Sequence, residues 1–314
     1  MIVTEFYPGQ GLGNQLWMYA VLRTLALDRG IPFGVQGPNR FKGRSFMDLD
    51  YGLPVVGPLH KLPGEDLPVG IDHRYVQPRC RHEETGADIS LFDSSLANIP
   101  DSTKIEGNFE SERYIRHRRD ELSEWFASRF RLEVPDDTCV VSFRGGEYKY
   151  ASELLLPRTY YERAMERMSQ EVPGVRFVVI TDDPALARRY FPDVTVLSHR
   201  RLPDLRRFGI QPATRAIGMD FTWVQRAKYV ILSNSSFSWW GTWTNRRVER
   251  AIAPQYWARH NVSDGYWSTG DAITSGWSWL SPDGRLLSEE ECRSELAAYL
   301  ARYPQYSVND SPGP

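Results

Sequence analysis

Cysteine is scarce in this chain of 314 residues: Cys80, Cys139 and Cys292 are far apart, odd in number and without CxxC spacing. That argues against a disulfide framework and gives no support to a zinc site. No apolar run approaches the ~20 residues of a membrane span. Residues 1–7 (MIVTEFY) lack the basic start and the apolar stretch of a signal peptide. A reduced protein of the cytoplasm is expected. A surplus of positive charge is missing as well. Lys and Arg number 38 against 40 Asp and Glu, a formal net charge of -2, so no nucleic-acid partner is expected. The 41% apolar content is too high for a disordered chain. What the chain has in plenty is tryptophan. Seven of its ten stand between Trp239 and Trp279.

The length implies about two domains. Residues 2–7 read as a strand, followed by the glycine turn Pro8-Gly9-Gln10-Gly11-Leu12-Gly13-Asn14. Residues 16–27 are apolar on nearly every side, as in a helix packed all round. Gly30 ends that helix, and 31–35 reads as a second strand. This order implies a parallel sheet. Residues 37–101 are rich in Pro, Gly, Arg and Asp and read as loops and short elements. A helix is expected over 120–130 and a linker over 131–137. From 138 onward strands (138–143, 175–181, 194–197, 229–233, 248–253) alternate with helices (157–171, 184–190, 214–227, 237–245). That alternation predicts a doubly wound sheet. Ser288-Glu289-Glu290-Glu291 is a capping box opening a last helix, and 307–314 reads as a frayed tail. The expected division is an N-terminal α/β domain over 1–135, a Rossmann-like domain over 136–287, and the final helix and tail over 288–314.

In open α/β sheets, ligands bind beyond the carboxyl ends of the strands. Three segments stand there in the second half: Arg144-Gly145-Gly146-Glu147-Tyr148, Thr181-Asp182-Asp183 and Ser233-Asn234-Ser235-Ser236-Phe237-Ser238. With the N-terminal glycine turn they point to one crevice. Backbone N–H groups at a helix start, supplemented by serines, make an anion site. Arg144 adds a planar fork suited to phosphate. Together these suggest a diphosphate. The plainer alternative is that Asn234 and the serines cap a helix. Gly9, Gly11 and Gly13 allow a ligand close to the backbone. Asn14 stands where a dinucleotide fingerprint needs glycine, so a nicotinamide enzyme is not expected. No metal is expected at Asp182 and Asp183, because an oxygen site needs more ligands. They either cap the helix led by Pro184 or bond a ribose or base. Trp239, Trp240 and Trp243 read as core. Tyr266 and Trp267 are candidate acceptor contacts, since flat rings suit sugar faces.

Four segments carry a family resemblance. Gly9-Gln10-Gly11-Leu12-Gly13-Asn14-Gln15-Leu16 resembles the GGLGNQLFQYA start of family 11 α-1,2-fucosyltransferases. Gly107-Asn108-Phe109-Glu110-Ser111-Glu112-Arg113-Tyr114 resembles their GYFQSEKY, and Thr181-Asp182-Asp183 their SDD. The run from Asn234 to Trp243 (NSSFSWWGTW) is similar to NSSFSWWGAW. Order and spacing match over roughly 1–255, while 256–287 does not match the family ending. The resemblance implies a GT-B type fold, two Rossmann-like domains facing across a cleft. It implies an inverting transfer of fucose from GDP-fucose to a sugar hydroxyl in α-1,2 linkage, with no metal or other cofactor. The N-terminal domain would take the acceptor and the second domain the donor. Carried onto the matching positions, the donor contacts are Gly11, Gly13, Asn14, Gln15, Ser142, Arg144, Thr181, Asp182, Asp183, Asn234, Ser235, Ser236, Phe237 and Ser238. Arg144 and Glu147 are the catalytic candidates, Glu147 either as base or as a support for Arg144. The family's HxRRxD falls on Ser142-Phe143-Arg144-Gly145-Gly146-Glu147, which keeps only its first Arg. Lys149 and Arg215 are candidates for the missing cation. The expected partners are a nucleotide sugar and a carbohydrate or glycosylated acceptor. A lipid-linked acceptor would bring the protein to the inner face of the membrane. A transferase for another nucleotide sugar and a sugar-nucleotide-binding protein are the alternatives.

Overall fold

The computed structural model describes residues 1–63, 66–81, 88–197, 212–263 and 272–306. Its N-terminal elements are β1 (Ile2–Glu5), α1 (Leu12–Arg29), β2 (Phe33–Gln36), β3 (His73–Val76), β4 (Arg79–Arg81), β5 (Asp88–Ser90), β6 (Thr103–Glu106) and α2 (Arg119–Trp125). Then follow β7 (Thr138–Phe143), α3 (Arg158–Glu171), β8 (Arg176–Thr181), α4 (Pro184–Tyr190), β9 (Thr195–Leu197), α5 (Pro212–Arg226) and β10 (Tyr229–Ile231). The rest are α6 (Ser236–Trp243), β11 (Arg250–Pro254), β12 (Ser278–Leu280), β13 (Leu286–Leu287) and α7 (Glu289–Arg302). Among these described residues no helix is long and apolar enough to cross a membrane.

One parallel sheet has the order β2-β1-β6-β3. A second has the order β13-β12-β11-β10-β7-β8-β9 and is parallel except for β13. β4 and β5 form a small antiparallel ribbon. The large sheets are two Rossmann-like units facing across a cleft, a GT-B architecture. In the second sheet the chain runs outward from β7 to β8 and β9, then returns through α5 to β10 on the other side of β7. Strand order therefore reverses between β7 and β10. In the first sheet it reverses at β1, flanked by β2 and later by β6. Such reversals are where open sheets hold ligands.

The elements follow from local chemistry where the apolar pattern is strong. β7 (TCVVSF) is buried at all six residues, as a strand covered on both faces must be. α1 starts at Leu12, directly behind the glycine turn rather than at residue 16. Gly30 stops it with φ 62°, a left-handed conformation that costs glycine little. Thirteen of its eighteen residues are buried, because α1 is enclosed by its own sheet on one side and α6 on the other. α2 is shorter than the expected 120–130. It ends at Trp125, and Phe126 turns its ring edge-on to Trp240 at 5.0 Å.

β3 and β6 have no such pattern. β6 is Thr-Lys-Ile-Glu, yet all four residues are buried. Its charges are neutralised internally. Lys104 Nζ lies 2.9 Å from Glu5 Oε2 and 3.2 Å from Glu106 Oε1. The His60 backbone N–H donates to Glu5 at 2.7 Å, and Tyr7 and Arg74 donate to Glu106 at 2.6 and 2.7 Å. Burial alone would raise the Glu5 carboxyl, but bonds from His60 and Lys104 hold it below its usual range. β12 and β13 also extend the second sheet within 256–287, with Trp279 fully buried. The capping box is present: Ser288 Oγ accepts from the Glu291 N–H at 3.2 Å, and Glu291 accepts from the Ser288 N–H at 2.7 Å.

One hydrophobic core runs through both units. Its centre is the contact of α1 with α6. Trp17 lies 4.3 Å from Trp239 and 4.7 Å from Trp240, ring centre to ring centre. The Trp243 indole N–H donates to Glu112 at 3.2 Å, and Arg119 donates to the Trp243 carbonyl at 3.0 Å. At the cleft end the helices nearly touch. A Cβ on Gly13 would lie 2.4 Å from Ser236 Oγ and 2.5 Å from the Ser236 carbonyl carbon, whereas one on Gly11 would meet nothing within 4 Å. Gly13→Ala is therefore expected to cost about 1–3 kcal/mol in urea denaturation, as overpacking does. Gly11→Ala is the control and should change stability far less. Equal stability for Gly13→Ala and the wild type would mean the helices part freely.

Candidate functional site

The cleft has a volume of 1410 Å³ and lies where both sheets reverse their strand order. Gly9 to Asn14 form its floor on the N-terminal side. Ser142, Arg144, Gly146, Glu147 and Tyr148 enter from the end of β7, Thr181 to Ala185 from the end of β8, and Ser233, Ser235, Ser236 and Phe237 from the β10–α6 turn.

The glycines after β7 have a mechanical reason. Asp182 folds its carboxylate against them: Oδ1 accepts from the Gly145 and Gly146 N–H groups at 2.9 and 3.1 Å, and Oδ2 accepts from Arg144. A Cβ on Gly146 would lie 2.3 Å from that carboxylate. Asp182 therefore serves as a bracket for Arg144 at the cleft wall. Arg144 uses only its NH1 nitrogen for this bond, and no other hydrogen bond of its guanidinium is present among the described residues. Its guanidinium also lies over the Tyr148 ring at 5.4 Å. Burial pushes the Tyr148 phenol up to about 12, and its hydroxyl donates to the Asn234 carbonyl at 3.3 Å. Tyr148 thus ties the β7 loop to the β10–α6 turn.

Asp183 does two jobs inside the protein. It caps α4 by accepting from the Leu186 N–H at 3.1 Å, and it pairs with Lys149 at 2.9 Å. The Lys149 ammonium, followed by the Leu186 N–H, holds the Asp183 carboxyl below its usual range. Thr181 Oγ1 accepts from the Asp183 N–H at 2.9 Å.

The serines divide. Ser235 Oγ accepts from the Phe237 N–H at 3.3 Å and is the N-cap of α6. Ser236 Oγ donates to Asn14 Oδ1 at 2.8 Å, which joins the two units across the cleft floor. Ser238 is fully buried and donates to the Ser233 and Ser235 carbonyls, both at 2.9 Å. Asn234 is buried too and donates to the Leu154 carbonyl at 2.8 Å. Ser238 and Asn234 thus do not line the cleft as expected: the Ser238 hydroxyl is used in shaping the turn, and Asn234 holds Leu154 through its amide nitrogen while its Oδ1 has no partner among the described residues. Gln15 is likewise displaced from the expected contacts. It is buried behind the cleft, donating to the Arg40 carbonyl at 2.9 Å and accepting from the Lys42 N–H at 2.9 Å. Tyr266 and Trp267 lie outside the described residues. Gly11, Gly13, Asn14, Ser142, Arg144, Glu147, Thr181, Asp182, Asp183, Ser235, Ser236 and Phe237 are all brought to the cleft.

What remains for a ligand is mostly backbone and cation. The first N–H groups of α1 have no helical acceptor, and Gly11 provides no side-chain cap. α1 and α6 both begin at the cleft, so two positive helix ends meet there. Lys42 also lines the cleft. It was missed because a single lysine in a glycine- and arginine-rich loop carries no periodicity or motif. The arrangement suits a multiply charged anion.

No protein-family model matches the chain. It is 27% identical over 171 residues to the α-1,2-colitosyltransferase of Escherichia coli, across 50% of this chain and 56% of that one. It is 26% identical over 135 residues to the O-antigen biosynthesis glycosyltransferase WbnK of Escherichia coli, across 40% of each. The chain spans about half the length of the curated relatives it matches. Among solved structures, the fucosyltransferase NodZ from Bradyrhizobium aligns over 80% of this chain and 94% of its own, at TM-score 0.35 and 16% identity. So slight a likeness bears on neither site nor activity.

Glu110 sits on the loop after β6, where the resembling motif has glutamine. Burial raises its carboxyl to about 7, and its charge reaches Tyr148 in the cleft wall. A carboxyl raised in this way gives its full stability below its unfolded pKa of about 4.3 and loses it as pH rises through the folded value. Wild-type stability is expected to fall between about pH 4 and pH 7. Glu110→Gln should remove that slope and gain roughly 2–3 kcal/mol at the upper end in urea denaturation. The same pH dependence in both proteins would contradict the burial of a charge at this position.

Proposed function

We propose that the chain is an inverting glycosyltransferase that moves fucose from GDP-fucose to a sugar hydroxyl in α-1,2 linkage. The observation that carries this reading is the place of Arg144. It stands at the strand-order reversal, bracketed by Asp182, with the starts of α1 and α6 facing the same space. The E. coli relatives, named for sugar transfer, support the reaction class. In the transfer, the acceptor oxygen attacks the anomeric carbon while the bond from that carbon to the phosphate oxygen breaks. Charge collects on the departing diphosphate. Fixed donors aimed at that charge are the largest catalytic effect a protein can offer. Arg144 and the helix-start amides supply them in this reading, without a metal or other cofactor.

The acceptor hydroxyl must also lose a proton. Glu147 lines the cleft, and Glu110 lies close enough behind the wall for its charge to act on Tyr148. Glu147 is exposed at the cleft's open side. Glu110, held near 7 by burial, has the proton affinity that a base at neutral pH needs. Turnover is expected to fall about 100-fold or more in Glu110→Gln and much less in Glu147→Gln. The opposite order would return the role to Glu147.

A second reading, a different sugar nucleotide, is favoured by one relative's name, colitosyltransferase, and by Gly145 in place of an Arg. A thermal-shift panel of GDP, UDP, dTDP and their sugars separates the two, since a ligand that binds the folded state raises the melting temperature. GDP and GDP-fucose are expected to stabilise most. Stabilisation by UDP or dTDP alone would move the donor to the second reading. Arg144→Ala should weaken GDP binding by roughly 10–150-fold, the equivalent of a charged hydrogen bond of about 1.5–3 kcal/mol. Unchanged affinity by calorimetry would sink the diphosphate assignment.

A further inference from the structure

We propose that Lys42, reaching in from the N-terminal unit, is the second cation that holds the diphosphate opposite Arg144. This deepens the reading above and rests on it. The position that carries the second Arg in the resembling motif is Gly145 here, and no larger residue fits there. A Cβ on Gly145 would lie 2.9 Å from both Asp183 Cβ and Phe143 Cε1, and 3.3 Å from Leu186 Cδ2. A second cation therefore has to come from another element.

Neither of the two candidates read from the sequence is free for this role. Lys149 lines the cleft but is committed to Asp183 at 2.9 Å. Arg215 is exposed and is not among the residues that line the cleft. Lys42 lines the cleft together with Arg144. Its ammonium makes no hydrogen bond or ion pair among the described residues. Burial lowers its pKa, and the nearby positive charge of Arg144 lowers it further, while Glu147 offsets part of this. Two cations held in one cleft repel each other until an anion arrives between them.

The backbone that carries Lys42 is fixed from behind. Gln15, fully buried on α1, clamps both sides of the loop through the Arg40 carbonyl and the Lys42 N–H. Arg40 in turn donates to the Phe6 and His60 carbonyls at 3.1 and 2.9 Å. Lys42 is thus tied to the end of β1 and the start of α1, while Arg144 belongs to the end of β7. A diphosphate between them would be held from both sheets at once.

Calorimetric titration of GDP into the wild type, Lys42→Met, Lys42→Arg and Lys149→Met tests this. Lys42→Met is expected to bind GDP at least about tenfold more weakly, as loss of one charged contact does, while binding guanosine as the wild type does. Lys42→Arg should recover most of the GDP affinity, which a merely structural role would not give. Lys149→Met should change it less than about threefold, as for an exposed ion pair. GDP affinity equal in the wild type and Lys42→Met would overturn the role of Lys42 while leaving the transferase reading in place. A wild type that binds GDP, UDP and dTDP no better than their nucleosides would overturn the diphosphate reading itself, and Lys42 with it.

Discussion

The rest of the structure depends on how closely α1 and α6 approach at the cleft. Their first turns meet at Gly13 and Ser236, where even a methyl group has no room. Behind that point Trp17 is wedged against Trp239 and Trp240. Aromatic pairs of this kind are worth about 0.5–1.5 kcal/mol each beyond the area they bury. The packing therefore fixes the distance between the helix starts. It also fixes where the glycine turn after β1 stands relative to the serine turn after β10. The cleft is a by-product of that contact: two sheets whose central strands end at the same place, held there by one tryptophan-rich core.

A second constraint acts inside the N-terminal sheet. Glu5 and Glu106 end β1 and β6, and both are buried. Taking such charges out of water costs several kcal/mol each unless partners meet them. Lys104 lies within 3.2 Å of both carboxylates, and His60, Arg40, Arg74 and Tyr7 use the remaining acceptor sites. The network therefore gives specificity more than stability. It fixes the register of β6 against β1 and pins the loop from Arg40 to Lys42 that borders the cleft. A purely apolar pair of strands would pack as well and would leave that loop with fewer anchors.

These two constraints explain what was legible in the sequence. β7, β10 and α1 are buried on most sides and β8 over its second half, so their apolar runs announce them, and the glycine and serine turns stand next to runs that can be read. β6 is missed because half of it is charge, and its burial is paid for by residues far away in sequence, such as Glu5 and His60. The site shows the same division. Arg144 is legible from its place after a strand and its likeness to a motif. Lys42 is not, because its position depends on a bond to Gln15 and on the meeting of two sheets. Conversely, Gln15, Asn234 and Ser238 match the motif in type, but the bonds they make, all of Gln15's and Ser238's and the amide nitrogen of Asn234, hold turns in shape. A matched motif identifies the place, and hydrogen bonds decide which of its members face the ligand.

The charge balance of the cleft then follows from its construction. Asp182 and Asp183 each take one cation, Arg144 and Lys149, so these four charges cancel in pairs. The Asp182 bond engages one nitrogen of the Arg144 fork and orients the rest. Such an arrangement avoids a dense cluster of unpaired positive charge, which would repel itself in the free protein. It leaves attraction to short-range donors: the remaining guanidinium nitrogens, two helix starts and one lysine from the opposite sheet. Since α1 and α6 are already locked together, an anion that bridges the sheets needs no large closure to be held.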